Sequence, residues 1–360
     1  MNTATKITLL LGAFSAMAFS NALVPVLAEI APDASVQGLL YAAYFFGAFA
    51  TVFPVGWLSD KTGRAPLLKI GLFGTFASAI LLFLVYPNIT LSIVFRALEG
   101  IFTGVFAAAA FSYVNSQENH LKLSGTYIAL MNIGMVAGLV ISGFLAFLHP
   151  YAGVLFFGVL SGISAAVASL FFKDSNETKE VLSAGETVSV AKYHLWLWIG
   201  IFMFTGVTGV VTSTYPELSG LSADLTGILT GLMSVATAVT VYLTSRFAIR
   251  DSLAVVRFAS VCLALVLPLV VFSPVGIVLV GAVYGVINAG VMDYIAKTNR
   301  PQGVMNGLFL FVQYGGMWFL PILAGFLAVP AGYLIVYLLC GLLCLASGLL
   351  IVRCPCYVSA

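Results

Sequence analysis

The chain has 360 residues, of which 61% are hydrophobic and only 8% are Asp, Glu, Lys or Arg, and its formal net charge is +2. A soluble globule carries about 25% charged residues, so this composition excludes one and describes a polytopic membrane protein. The basic residues lie scattered in short loops and form no single patch, which excludes a nucleic-acid surface.

A helix needs about 20 apolar residues to cross a hydrocarbon core of roughly 30 Å, and lipid offers its backbone no outside partner. Twelve such runs follow one another, at 7–27, 36–58, 66–86, 89–113, 123–147, 151–172, 194–215, 224–245, 253–272, 275–296, 303–328 and 332–352. The first run, opened by Lys6 and containing Ala16-Met17-Ala18, imitates a secretory signal with its cleavage site. It continues to Val26, long enough to span, and is read as a retained helix. Pro32-Asp33, Pro87-Asn88, His149-Pro150, Ser273-Pro274 and Pro330 mark breaks between runs. With the amino terminus in the cytoplasm, fourteen of the fifteen Lys and Arg residues fall in inside segments. The outside loops carry Glu29, Asp33, Glu217 and Asp224, and the remaining base, Arg96, lies within a span. That asymmetry predicts a multi-pass protein of the cytoplasmic (cell) membrane with both termini inside.

One long polar stretch, rich in Ser, Thr, Glu and Lys, follows the sixth run and is too poor in apolar residues to fold alone. It divides the chain into an amino-terminal bundle at 1–172, a cytoplasmic linker at 173–193 and a carboxy-terminal bundle at 194–360. The two halves repeat. One offset lays Gly56–Gly63 over Val241–Ala248, Lys61 over Arg246 and Gly100 over Gly285. A slightly smaller one lays Gly125 over Gly307, Gly134 over Gly316, and Gly143-Phe144-Leu145-Ala146 over Gly325-Phe326-Leu327-Ala328. Such matches predict two parallel copies of one ancestral bundle.

Ionisable groups within spans cost about 2.5–3.5 kcal/mol each on insertion scales, so they face a cavity or a partner. Three qualify: Arg96 and Glu99 in the fourth run, and Asp293 in the tenth. Arg96 and Glu99 are three residues apart and share a helix face. They are either a self-satisfied structural pair or a cation for an anionic solute beside a protonatable carboxylate. Asp293 has Lys297 one turn on, the spacing of a structural pair. Neutral candidates for a cavity are Asn21, Tyr41, Tyr44, Asn132, Thr205, Thr208, Thr212, Tyr284, Asn288, Gln313, Tyr314 and Trp318, each with packing as the simpler role. The five cysteines predict no disulfide framework. Neither HExxH nor a Gly-rich phosphate loop occurs, and His120, His149 and His194 are scattered, so no enzyme and no metal site is expected.

The charged island Gly56-Trp57-Leu58-Ser59-Asp60-Lys61-Thr62-Gly63-Arg64 resembles the loop between the second and third spans of the major facilitator superfamily, with Gly56, Leu58, Asp60, Lys61, Gly63 and Arg64 in place. Arg96-Ala97-Leu98-Glu99-Gly100 is similar to the superfamily's span-four Arg-x-x-x-Gly pattern, associated with proton coupling. Gly134–Gly143 partly resembles its glycine-rich antiporter signature, with Leu139 and Ser142 departing from it. The resemblance implies an all-α fold of twelve transmembrane helices in two pseudo-symmetric six-helix bundles around a central cavity. It implies secondary active transport of a small solute by alternating access, with proton-coupled efflux ahead of proton-coupled import of a small organic anion. A non-transporting sensor or scaffold would call for a signalling domain, and none is visible. On this resemblance Arg96, Glu99, Asn21, Asn132, Asn288, Gln313, Tyr314 and Trp318 serve substrate and protons. Gly56, Asp60, Lys61, Gly63 and Arg64 form a cytoplasmic gate, Asp60 meeting the span that Pro301 opens. The expected partners are a small-molecule substrate, protons and the lipid bilayer. A proton gradient supplies the energy, no cofactor is needed, and the chain works as a monomer.

Overall fold

A computed structural model describes residues 3–117, 120–172, 184–247, 249–298 and 302–354. Among them there is no strand, and twelve helices are long and apolar enough to cross a membrane. They run Thr5–Ile30, Ala34–Gly56, Arg64–Val85, Ile89–Val114, Gly125–Leu145, Ala152–Phe171, Leu195–Ser219, Ala223–Ser245, Ser252–Phe272, Pro274–Lys297, Val304–Ala331 and Tyr333–Arg353, and are called spans one to twelve. Each lies on one of the twelve apolar runs, because a helix is the only single segment that satisfies its own backbone in lipid. The protein is therefore a multi-pass membrane protein.

Two spans are interrupted part-way along their sequence runs. Span one is a helix to Asn21, a three-ten turn at Val24–Val26 and a short helix at Leu27–Ile30. Pro25, which has no N–H to donate, sits in the break. Span nine breaks in the same way at Pro268, between Ser252–Val266 and Leu269–Phe272. The island after span two ends at Gly63, whose φ of 87° belongs to the region glycine enters without steric cost. Within the polar linker, Ala184–Tyr193 is helical, and 173–183 lies outside the described residues.

By contact the chain forms two compact units, Met1–Pro32 with Leu39–Val181 and Leu221–Gly231, and Asp33–Gly38 with Leu182–Gly220 and Leu232–Ala360. The first unit has a core of Leu9, Ala13, Leu68, Leu72, Phe106, Tyr113, Tyr127, Ala165 and Phe172, from spans one, three, four and six and the helix of span five. Hydroxyls stitch it across spans: Ser164 Oγ donates to Thr8 O at 3.0 Å and Ser161 Oγ to Leu72 O at 3.4 Å. In the second unit Thr237 Oγ1 donates to Gly281 O at 2.9 Å, and the Thr214 and Tyr337 hydroxyls meet at 2.9 Å.

The repeat is visible inside each unit. A Cβ on Gly134 would collide with the Phe14 carbonyl of span one, and a Cβ on Gly316 with the Phe202 carbonyl of span seven. In the first unit a Cβ on Gly143 would come 2.5 Å from the Ala223 carbonyl oxygen, and in the second a Cβ on Gly325 would strike that of Ala34. These glycines are backbone crossings, as small residues are in membrane helices generally.

A loop joint is repeated as well. Arg64 Nε, buried at the start of span three, donates to Ser112 Oγ of span four at 2.8 Å. The offset that lays Lys61 over Arg246 lays Arg64 over Ile249 and Ser112 over Lys297. There Lys297 Nζ of span ten donates to Ile249 O at 2.7 Å, to Ser252 Oγ at 3.4 Å and to Asp293 Oδ2 at 2.5 Å. Ser252 also bonds Asp293. The same joint is thus closed in both units with the donor on opposite sides, and Asp293 belongs to it.

Gly134→Val and Gly316→Val should each lower stability by about 1–3 kcal/mol, the usual cost of overpacking, read as thermal unfolding of the purified protein. Gly125→Ala, with open space around its Cα, should leave the midpoint where it is. Equal midpoints in all three variants would mean that the crossings do not need glycine.

Candidate functional site

Span four starts at Asn88, whose side chain caps it by accepting from Leu91 N–H at 3.1 Å. From that start Arg96, Glu99 and Thr103 recur at spacings of three and four and share one face. Gly100 lets the backbone of span two in, since a Cβ there would collide with the Tyr44 carbonyl. Gly47 does the same from the other side, toward the Ala97 carbonyl. This close crossing brings the Tyr44 ring over Arg96, with Cζ 5.0 Å from the ring centroid.

Arg96 and Glu99 are both closed to solvent, each at 0% exposure. Arg96 Nη1 and Glu99 Oε2 are 2.5 Å apart, and Nη2 donates to the Ser20 carbonyl at 2.7 Å. That carbonyl lies where the span-one helix is about to end, and Ala22 N–H already bonds Phe19 O in a tighter turn at 3.0 Å. The break thus supplies an acceptor that an unbroken helix would have used itself. Glu99 Oε1, Arg96 Nε and Thr103 Oγ1 are buried and have no hydrogen-bond partner among the described residues.

Chemically this is a guanidinium with a carboxylate on one edge, a carbonyl on another and a ring on its face. One carboxylate oxygen remains uncommitted. Removing two charges from water costs several kcal/mol per ion after relaxation, while a cation–π contact returns about 0.5–2 kcal/mol. The pair holds because each charge has the other. The carboxylate can take a proton on its uncommitted oxygen, and the guanidinium can then accept another anion.

The other sequence candidates are placed differently. Asn21 Nδ2 turns back onto Met17 O and Ser20 Oγ, both at 3.0 Å. Exposed Asn132 bonds Ile128 O at 3.0 Å. Thr205, Thr208 and Thr212 donate to Ile201, Thr205 and Thr208 carbonyls of their own span. In the second unit Asn288, Gln313 and Trp318 are half-buried and Tyr314 is buried, and Gln313 O faces Thr205 Oγ1 at 3.5 Å. Gly56 and Gly63 are half-buried, and Arg64 is in the joint above. The side chains of Asp60 and Lys61, and Pro301, lie outside the described residues. Two groups at the site, Thr103 and the Ser20 carbonyl, are not among the residues the sequence suggests. Thr103 continues the Arg96 and Glu99 spacing, whereas nothing in the sequence marks a backbone oxygen.

Residues 7–321 match the family model described as Major Facilitator Superfamily. A stretch of 194 residues is 27% identical to the tetracycline resistance protein, class H, of Pasteurella multocida, covering 50% of this chain and 48% of that protein. A stretch of 136 residues is 31% identical to sialin of Homo sapiens, covering 36% of this chain and 27% of that one. The alignments thus span less than half the length of these curated relatives. The solved structure of the nucleoside transporter NupG superposes with a TM-score of 0.76 at 11% identity, over 97% of this chain and 99% of that one.

Removing one partner of a buried ion pair costs about 3–5 kcal/mol, because the other charge is stranded. Glu99→Leu should lose about that much stability, and the double variant Arg96→Met with Glu99→Leu should recover most of it, by thermal unfolding in one detergent. A double variant no more stable than Glu99→Leu would mean that Glu99 is not what balances Arg96.

Proposed function

The chain belongs to the Major Facilitator Superfamily, and from that premise we propose that it is a proton-coupled transporter in which Glu99 carries the proton and Arg96 receives an anionic solute. It is a transporter and not an enzyme. One observation carries the finer reading: Glu99 is the carboxylate on Arg96, and both are shut off from water. Protonating Glu99 strands the guanidinium in a place where an uncompensated charge is costly. An arriving anion offsets that cost, so proton and anion favour each other's binding and travel together. A cationic solute would have to draw Glu99 away and then face Arg96 at close range, which Coulomb repulsion opposes.

In this reading the halves at 1–172 and 194–360, joined by 173–193, alternate access to a midplane site. Both termini lie in the cytoplasm, as the Lys and Arg placement favours. The island at Gly56, Asp60, Lys61, Gly63 and Arg64 works as the gate on that side. Asn21 and Asn132 would meet substrate only after their present bonds to their own helices open, and Asn288, Gln313, Tyr314 and Trp318 would complete the site. The likeness to tetracycline resistance proteins favours a second reading, export of a solute in exchange for protons.

Reconstituted protein under an imposed pH gradient separates the two. Cotransport predicts that organic anions accumulate on the side to which protons flow, and exchange predicts solute movement against that flow. Glu99→Gln should abolish gradient-driven accumulation while sparing solute exchange, and Arg96→Ala should abolish both. Accumulation by Glu99→Gln equal to the wild type would remove the proton from Glu99.

A further inference from the structure

Hydroxyls within membrane helices ordinarily bond a carbonyl one turn back on their own helix. Thr75, Thr205, Thr208, Thr214 and Thr230 all do so, at 2.7–2.8 Å. Thr103 does not. It is 3% exposed, yet Oγ1 has no hydrogen-bond partner among the described residues. On the same face of span four lie two further buried atoms in the same condition, Glu99 Oε1 one turn away and Arg96 Nε one turn beyond that. Buried polar atoms are almost always paired, so three unpaired ones in a row call for a common cause.

We infer that these three atoms are one solute subsite, and that Thr103 is its specificity-determining residue, selecting organic anions that carry a hydroxyl over those that do not. This rests on the anion reading of the site. Arg96 takes the acid group. Thr103, about 6 Å along the helix from Glu99, is both a donor and an acceptor and so matches a hydroxyl, which is both as well. A solute without that hydroxyl would bury the Thr103 oxygen against carbon and leave it unpaired, the situation in which hydrogen-bonding sites discriminate most strongly. The class this describes is the polyhydroxylated acid, with the acid at one end and hydroxyls a few bonds away.

The test uses two matched pairs of probes, glucuronate with cyclohexanecarboxylate and gluconate with hexanoate, in proteoliposomes of the full chain under an inward proton gradient. Wild-type uptake should favour the hydroxylated member of each pair by roughly tenfold or more, the scale of a lost hydrogen bond. Thr103→Val, nearly the same shape without the hydroxyl, should erase the preference while still moving the plain acids, and Thr103→Ser should keep it. Thermal unfolding of each variant separates lost selectivity from lost fold, and the ratio within one variant does not depend on how much protein is active. No preference in the wild type, or the same preference in Thr103→Val, overturns the inference and leaves the anion reading standing. Uptake of neither class by the wild type overturns both.

Discussion

A guanidinium has been placed where nothing dissolves it, and much of the first unit is arranged around that fact. Its charge is met by Glu99, its free edge by a carbonyl that span one gives up at its break, and its face by Tyr44. Each contact needs a specific concession elsewhere. Pro25 interrupts a helix, and Gly47 and Gly100 forgo side chains so that spans two and four can cross backbone to backbone. None of these contacts alone matches the several kcal/mol of burying an ion. Together they keep the charge in place while leaving it responsive to the loss of any one of them, which suits a group that must change partners.

Among the described residues of the second unit no guanidinium is buried in this way. The offset that lays Gly100 over Gly285 lays Arg96 over Gly281, and there the backbone of span ten accepts a hydrogen bond from Thr237 and lies close against Met233. One copy of the repeat therefore carries a charge at the position where the other has only a close crossing. The two units thus differ at a position where chemistry is possible.

How much of this could be read from the residues follows from which forces decide it. The twelve spans were legible because lipid permits a backbone so few options, whereas the breaks at Pro25 and Pro268 were passed over inside unbroken apolar runs, although both fall at residues that cannot donate. Arg96 and Glu99 were legible because their pairing is a matter of helix spacing alone. The hydroxyls and amides were not. Thr205, Thr208, Thr212, Asn21 and Asn132 are as polar in sequence as Thr103, yet they bond their own backbone and it does not. That choice is made by rotamer and neighbour, and one chain of letters does not display it. Tyr44 could be named as polar and buried, but its place over Arg96 depends on two glycines in different spans.

The joint at the start of spans three and nine bears on how such a chain can be rebuilt by evolution. In the first unit the loop side brings the cation and the helix end accepts, whereas in the second the helix end brings the cation and the loop side accepts. A piece that carries both sides of its own joint is self-consistent. A loop or a helix end moved singly from one half to the other would set Arg64 against a lysine, or a serine against a carbonyl with no cation between them. The joint makes spans three and four, and likewise spans nine and ten, pairs that have to be exchanged together.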